Sequence, residues 1–211
     1  MSPTAVVTGG SGGIGRSVVA ELRGRGWEVV SLSRREGCDV SDEAQVRRAF
    51  ERIESLDALI NGAAQLIKRP ILELTAADWD AQIDAGLRGA FLCSREAFRL
   101  MRNSGGSIVM VSSLSGVQGA EKFPGMAAYV AAKSGLAGLT EALAVEGRPL
   151  GIRVNAISPG AVDTPMLRIA GVEGPRLQPA EVARIIVWLA SPESAPLSGS
   201  NLRLDPTDRG T

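Results

Sequence analysis

The sequence predicts an α/β fold built around a doubly wound, mostly parallel sheet. Short apolar runs alternate with longer segments in which apolar residues recur every three or four positions, as expected for strands and helices in turn. Because helices occupy most of the connections, neighbouring strands run parallel and both faces of the sheet are covered. We expect about six to seven strands, close to the usual size of such a sheet.

Each element has its own sequence signal. Ser41 is the expected N-cap of the second helix. Thr75 is the expected cap of a long helix in which Gly86 and Gly89 mark a bend or a close contact. Strands are expected at residues 5–7, 28–32, 56–60, 107–111, 153–157 and 201–204, and helices at 16–22, 41–53, 76–101, 127–146 and 180–190.

The connection after the second strand is unusually short. Only a few residues separate Leu32 from Cys38, whereas a parallel neighbour needs a crossover of about a dozen or more. The third strand of the sheet is therefore expected to be short or missing. Residues 161–178 have no clear period and are expected to form a loop.

Length and composition favour a single domain over residues 1–211. Lysine and arginine (23) balance aspartate and glutamate (23), so nucleic acid is not an expected partner. Two cysteines are too few for a disulfide framework, and no stretch has the pattern of a signal peptide or a membrane span. We therefore expect a cytoplasmic protein without a membrane partner.

The absence of histidine limits the chemistry. With 0 histidines, the chain cannot form a Ser-His-Asp triad or a histidine-ligated metal site, and no metal is expected. Proton transfer near neutral pH must then come from tyrosine, lysine, a carboxylate or water.

The stretch Thr8-Gly9-Gly10-Ser11-Gly12-Gly13-Ile14-Gly15 connects the first strand to the first helix. Its glycines allow positive φ angles and a close approach of the backbone to an anion. The first N–H groups of the helix and its dipole point toward such an anion. The stretch predicts a phosphate site, although an ordinary glycine-rich turn is the alternative.

Tyr129 and Lys133 form a second candidate site. They are four residues apart on a predicted helix, so both side chains lie on one face. Tyr129 is the only tyrosine, and a nearby ammonium group favours the phenolate. The pair could exchange a proton with a carbonyl or alcohol oxygen, although most such pairs are structural.

Taken together, these motifs resemble the short-chain dehydrogenase/reductase family over residues 4–205. The resemblance implies a Rossmann-type, dinucleotide-binding domain with a short substrate loop near residues 161–178. The matching segments occur in the family's order: Thr8 to Gly15, Asp39-Val40, Asn61-Gly62-Ala63, Gly105 through Ser113, Tyr129 to Lys133, Asn155 to Gly160, and Thr164.

The resemblance also implies the residue roles. Ser113 would hydrogen-bond the substrate oxygen, Tyr129 would exchange its proton, and Lys133 would lower the Tyr129 pKa and hold the nicotinamide ribose. Strand-end capping is the alternative for individual serine, asparagine and threonine residues. The other implied cofactor contacts are Gly9, Ser11, Gly13, Ile14, Gly15, Ser33, Arg34, Asp39, Val40, Asn61, Ala63, Pro159, Val162 and Thr164.

The end of the second strand favours NADP(H). An NAD enzyme of this type has a carboxylate there, whereas this sequence has Ser33 followed by Arg34 and Arg35. A hydroxyl and a guanidinium suit a 2′-phosphate. Glu36 keeps NAD(H) as the alternative.

Two departures from the family pattern affect activity and substrate. Gly86 stands where the family has a catalytic asparagine that helps to position a water in the proton relay. The substrate loop is short, and Ala120-Glu121-Lys122-Phe123 is expected to form part of the substrate wall.

The resulting prediction is an NADP(H)-dependent ketoreductase-like enzyme acting on a carbonyl or secondary alcohol of a small metabolite or acyl thioester. One alternative is an NAD-dependent dehydrogenase of a cyclic or sugar alcohol. Another is a catalytically weak, cofactor-binding sensor or structural partner. A homodimer or homotetramer using the helices at 76–101 and 127–146 is also implied.

Overall fold

A computed structural model describes residues 2–205 of the protein. Within that range six strands form one sheet in the order β2-β1-β3-β4-β5-β6, and every neighbouring pair is parallel. The strands are β1 (Thr4–Thr8), β2 (Glu28–Leu32), β3 (Ala58–Asn61), β4 (Gly106–Val111), β5 (Ile152–Pro159) and β6 (Asn201–Leu204).

Helices cover both faces of this sheet. One hydrophobic core packs α2, α4 and α5 against the first face, and a second core packs α1 and α7 against the other. The helices are α1 (Gly13–Gly24), α2 (Glu43–Phe50), α3 (Ala76–Ile83), α4 (Gly89–Met101), α5 (Ala127–Gly147), α6 (Pro165–Ala170) and α7 (Pro179–Ala190). The predicted doubly wound α/β fold is confirmed.

The third strand expected in such a sheet is absent from the described residues. After β2 the chain makes a short 3-10 turn at Arg34–Glu36 and then enters α2. The next strand, β3, pairs with β1, so β2 is an edge strand. The connection after β2 is therefore too short to contain a crossover and a further strand.

The predicted long helix contains a π-helical turn. This turn, Asp84–Arg88, lies between α3 and α4 and includes Gly86, which is buried. A Cβ added at Gly89 would lie only 2.7 Å from a methyl carbon of Val40. The two glycines thus mark a change of helical register and a close contact, as predicted.

Two local predictions are wrong. Asp42, not Ser41, caps α2 by accepting from the N–H groups of Ala44 and Gln45. Ser41 donates its hydroxyl instead to Asp39, 2.7 Å away. The segment 161–178 is not wholly a loop, because Pro165 begins the short helix α6.

Among residues 2–205, no helix combines the length and the apolar character that crossing a membrane requires.

Candidate active site

The glycine-rich turn joins β1, β2 and the segment after β3. Gly9 adopts a φ of 70°, and its N–H donates to the carbonyl of Leu32 at 2.8 Å. The Thr8 hydroxyl accepts from the N–H groups of Gly62 and Ala63 at 3.0 and 3.1 Å. A Cβ on Gly9 would lie 3.0 Å from the Ala63 backbone, so this turn requires glycine.

The N-terminus of α1 suits a phosphate group. Its N-cap, Gly12, offers no side-chain hydrogen bond, and the first turn has no acidic residue. The first N–H groups of α1 therefore have no side-chain acceptor and can bind an anion. Thr164 lies beside this turn, since a Cβ on Gly13 would be 2.5 Å from its methyl carbon. This N-terminus therefore fits a phosphate group of a dinucleotide, and the contacts of Ser11, Gly13, Ile14 and Gly15 with it stay predictions.

A carboxylate occupies the end of β2. Ser31 and Ser33 both donate to the same oxygen of Glu36, at 2.8 and 2.6 Å. Arg34 and Arg35 are exposed. The expected 2′-phosphate contacts, Ser33 and Arg34, thus lie beside the Glu36 carboxylate. The sequence did not reveal that this carboxylate binds Ser31 and Ser33.

The next predicted adenosine contacts differ in exposure. Asp39 accepts from the backbone and hydroxyl of Ser41, and Val40 is buried against α4. Asn61 is 3% exposed, and its amide donates to the Ser94 hydroxyl at 3.0 Å. The Asn61 side-chain oxygen is buried without a hydrogen-bond partner. The Asn61 side chain therefore packs against α4, and its contact with a ribose stays a prediction.

The predicted catalytic side chains are brought together by β4 and α5. Ser113 follows β4, and its side chain lies near that of Tyr129, where a hydrogen-bonding interaction lowers the Tyr129 pKa. Tyr129 and Lys133 are both buried on α5, with the Lys133 nitrogen 5.6 Å from the centre of the tyrosine ring. That nitrogen donates to the carbonyl of Val111 at 2.6 Å, which fixes the lysine against β4.

Burial dominates the protonation of this pair. It raises the pKa of Tyr129, and the hydrogen bond from Ser113 offsets part of that rise. Burial also lowers the pKa of Lys133 from 10.5 to about 8. At neutral pH Tyr129 therefore holds its proton, and Lys133 is charged in most molecules. Lowering of the Tyr129 pKa by Lys133 stays a prediction, because Ser113 is the group that lowers it here.

Ser113 and Tyr129 open into a cavity of about 600 Å³. It is also lined by Ile14 of the glycine turn and by Pro159, Val162 and Thr164, which the family resemblance implies as the contacts of the nicotinamide carboxamide. Lys133 lies behind Tyr129 and does not line the cavity. Gly9, Ser33 and Asn61, at the ends of β1, β2 and β3, do not line this cavity.

An apolar wall surrounds Tyr129 on the side away from the glycine turn. Of the expected wall segment, Ala120 and Phe123 belong to this wall, Glu121 lines the cavity at an exposed position, and Lys122 does not line it. The sequence did not identify the others, since they come from segments that were expected to be loops, although Met166, Leu167 and Ala170 lie in α6. These further wall residues are Leu66, Met126, Met166, Leu167, Ala170 and Val172.

Comparisons with known proteins show the family of the chain. The sequence profile described as enoyl-(acyl carrier protein) reductase matches residues 9–206. The chain is 38% identical to a 3beta-hydroxysteroid dehydrogenase of Mediterraneibacter gnavus, over 76% of this chain and 66% of that protein. It is 34% identical to an acetoacetyl-CoA reductase of Allochromatium vinosum, over 96% of each.

Solved structures give the same result. The aldohexose dehydrogenase of Thermoplasma acidophilum superimposes with a TM-score of 0.89 at 27% identity, over 100% of this chain and 97% of that one. Levodione reductase superimposes with a TM-score of 0.84, also at 27% identity, over 97% and 96%. With the profile match and the conserved order of the site segments, these similarities show that the chain belongs to the short-chain dehydrogenase/reductase family.

Proposed function

We propose that the protein is an NADP(H)-dependent oxidoreductase that interconverts a carbonyl and a secondary alcohol. The substrate would be a small metabolite or an acyl thioester. The observation that carries this proposal is that Ser113 and Tyr129 lie together at the wall of a cavity that is also lined by the expected nicotinamide contacts. Similarity to alcohol dehydrogenases and a ketone reductase supports it.

The chain's own residues would bind and protonate the substrate oxygen. A bound nicotinamide supplies or accepts the hydride at the carbon. Ser113 and Tyr129 donate hydrogen bonds to the carbonyl oxygen, and Tyr129 then releases its proton to it. The charged Lys133, fixed by Val111, stabilises the phenolate that remains. Because burial raises the Tyr129 pKa, the resting site is protonated for reduction.

Reduction can be tested directly by mixing the protein with NADPH and a panel of ketones while following the absorbance of the reduced nicotinamide. We expect the oxidation of NADPH to depend on the presence of a ketone. Tight binding of NADPH without turnover across a broad panel would instead identify a cofactor-binding sensor.

Cofactor choice can be tested at Arg34. We expect Arg34→Ala to raise the Kd for NADPH about tenfold, with little change in the Kd for NADH, because an exposed guanidinium can pair with a 2′-phosphate. Fluorescence titration with both cofactors measures the effect. Arg148→Ala removes an exposed arginine from the turn before β5 and serves as the control. An unchanged Kd for NADPH would contradict the preference.

One observation favours the alternative of an NAD(H)-dependent dehydrogenase acting on a cyclic or sugar alcohol. The Glu36 carboxylate is held at the end of β2 by Ser31 and Ser33. A carboxylate there could accept hydrogen bonds from ribose hydroxyls and would repel a 2′-phosphate. In the same titration, wild-type protein binding NADH more tightly than NADPH would favour this candidate.

Gly86 provides a test of the proton relay. A Cβ at this position would lie 3.4 Å from that of Ala132, an ordinary contact, so a side chain can be accommodated. We expect Gly86→Asn to raise kcat about tenfold by restoring the amide that positions a water near Lys133. Gly86→Ala fills the same space without the amide and should give no increase. Equal kcat values for both variants would exclude a missing relay group.

A further inference from the structure

We infer that the cavity selects uncharged, largely apolar ketones and alcohols and discriminates against phosphate-bearing acyl thioesters and sugars. The inference rests on the proposed function and narrows its substrate class. It depends on three features: the wall around Tyr129, the charges at the cavity mouth, and the hydrogen bonds that the nearby lysines donate to the backbone.

The wall around Tyr129 is apolar. Leu66, Met126 and Ala170 are buried with Tyr129 in one hydrophobic cluster. Phe123, Met166, Val130 and Val172 pack against the cluster. Such a wall gains free energy by covering apolar substrate surface and offers few partners for the several hydroxyls of a sugar. The adjacent Ser112 hydroxyl is already donated to the carbonyl of Lys133 at 2.8 Å.

The charged residues lining the cavity all lie at its mouth. Among residues 2–205 these are Glu121, Glu173, Arg203 and Asp205, and each is exposed. Three are acidic and one is basic. A substrate carrying several phosphate charges would meet net repulsion there, whereas a neutral substrate would not.

The lysines near the wall hold its backbone. Lys68 donates to the carbonyl of Ala170 at 2.6 Å. Lys122 donates to the carbonyls of Val117 and Ala120 at 2.6 and 2.8 Å. These ammonium groups are bound to backbone carbonyls near the wall and are not directed toward a phosphate. Neutral substrates therefore fit both the interior and the entrance of the site.

A pair of probe ketones tests the inference. The probes are 2-decalone, which is neutral and bicyclic, and acetoacetyl-CoA, which carries phosphates; each is assayed with NADPH and with NADH. We expect kcat/KM to be at least about tenfold higher for 2-decalone. Wild-type preference for acetoacetyl-CoA would overturn the inference while leaving the proposed reductase function intact. Cofactor binding with no reduction of any ketone would overturn both.

Charge reversal at the mouth supplies the second measurement. In the double variant Glu121→Lys, Glu173→Lys, the ratio of kcat/KM for acetoacetyl-CoA to that for 2-decalone should rise about tenfold at low salt, with a smaller rise at high salt. Glu141→Lys reverses an exposed charge on α5 outside the cavity lining and should not change the ratio. An unchanged ratio in the double variant would contradict electrostatic selection at the mouth.

Discussion

Replacing Tyr129 with phenylalanine is expected to lower kcat for ketone reduction about 1000-fold, within the range that a positioned general acid contributes. The ring would keep its contacts with Leu66, Met126 and Ala170 in the apolar wall. Only the hydroxyl that Ser113 hydrogen-bonds would be lost, and the chain has neither a second tyrosine nor a histidine to replace it. Steady-state assay of both proteins with one ketone measures the ratio.

The matched control for this variant is its cofactor affinity. Fluorescence titration should show a change in Kd far smaller than the change in kcat, because the substitution leaves the glycine turn and α1 intact. Turnover near the wild-type rate would show that another group protonates the substrate. A large loss of cofactor binding would show instead that Tyr129 acts mainly through the dinucleotide.

Replacing Lys133 with methionine is expected to abolish most activity and to stabilise the fold. Burial lowers the Lys133 pKa from 10.5 to about 8. That difference corresponds to about 3 kcal/mol of destabilisation when the amine is charged. Methionine removes this cost, although it also removes the hydrogen bond to Val111, worth about 1 kcal/mol. We therefore expect a net gain of about 2 kcal/mol in the free energy of unfolding at pH 7.

The pH dependence identifies the cause of this gain. Below the folded-state pKa of about 8, both the folded and unfolded wild-type chains hold the proton, so the full cost is present. Between about 8 and 10.5 the unfolded chain binds more protons, and wild-type stability relative to the variant rises with pH. Denaturant unfolding of both proteins across this interval measures the difference. A difference that does not change with pH would exclude desolvation of the amine as the cause.

The strand and helix order could be predicted because the spacing of apolar residues along the sequence follows from the side of each strand or helix that is buried. The predicted bounds of β2 and β6 match the structure, and the short connection after Leu32 correctly indicated a missing strand. The capping of α2 could not be predicted, because Ser41 and Asp42 are both suitable caps. The choice depends on the competing hydrogen bond between Ser41 and Asp39.

The proximity of the candidate catalytic side chains could be predicted because Tyr129 and Lys133 have helical spacing and the family resemblance adds Ser113; their catalytic roles stay predictions. The structure places Ser113 against Tyr129 and keeps Lys133 on the same helix. The substrate wall was only partly predictable, since Leu66, in the loop after β3, and Met166, in α6, meet only in the folded chain. The two hydrogen bonds to Glu36 could not be predicted either, because they depend on how the 3-10 turn folds back toward β2.

The most direct test is a crystal structure with a nicotinamide dinucleotide and an unreactive ketone analogue bound. The account predicts that the carbonyl oxygen lies about 3 Å from the hydroxyls of both Ser113 and Tyr129. It also predicts that the dinucleotide phosphates contact the first N–H groups of α1. A dinucleotide bound elsewhere, or a carbonyl oxygen beyond the reach of the Tyr129 hydroxyl, would contradict the proposed chemistry.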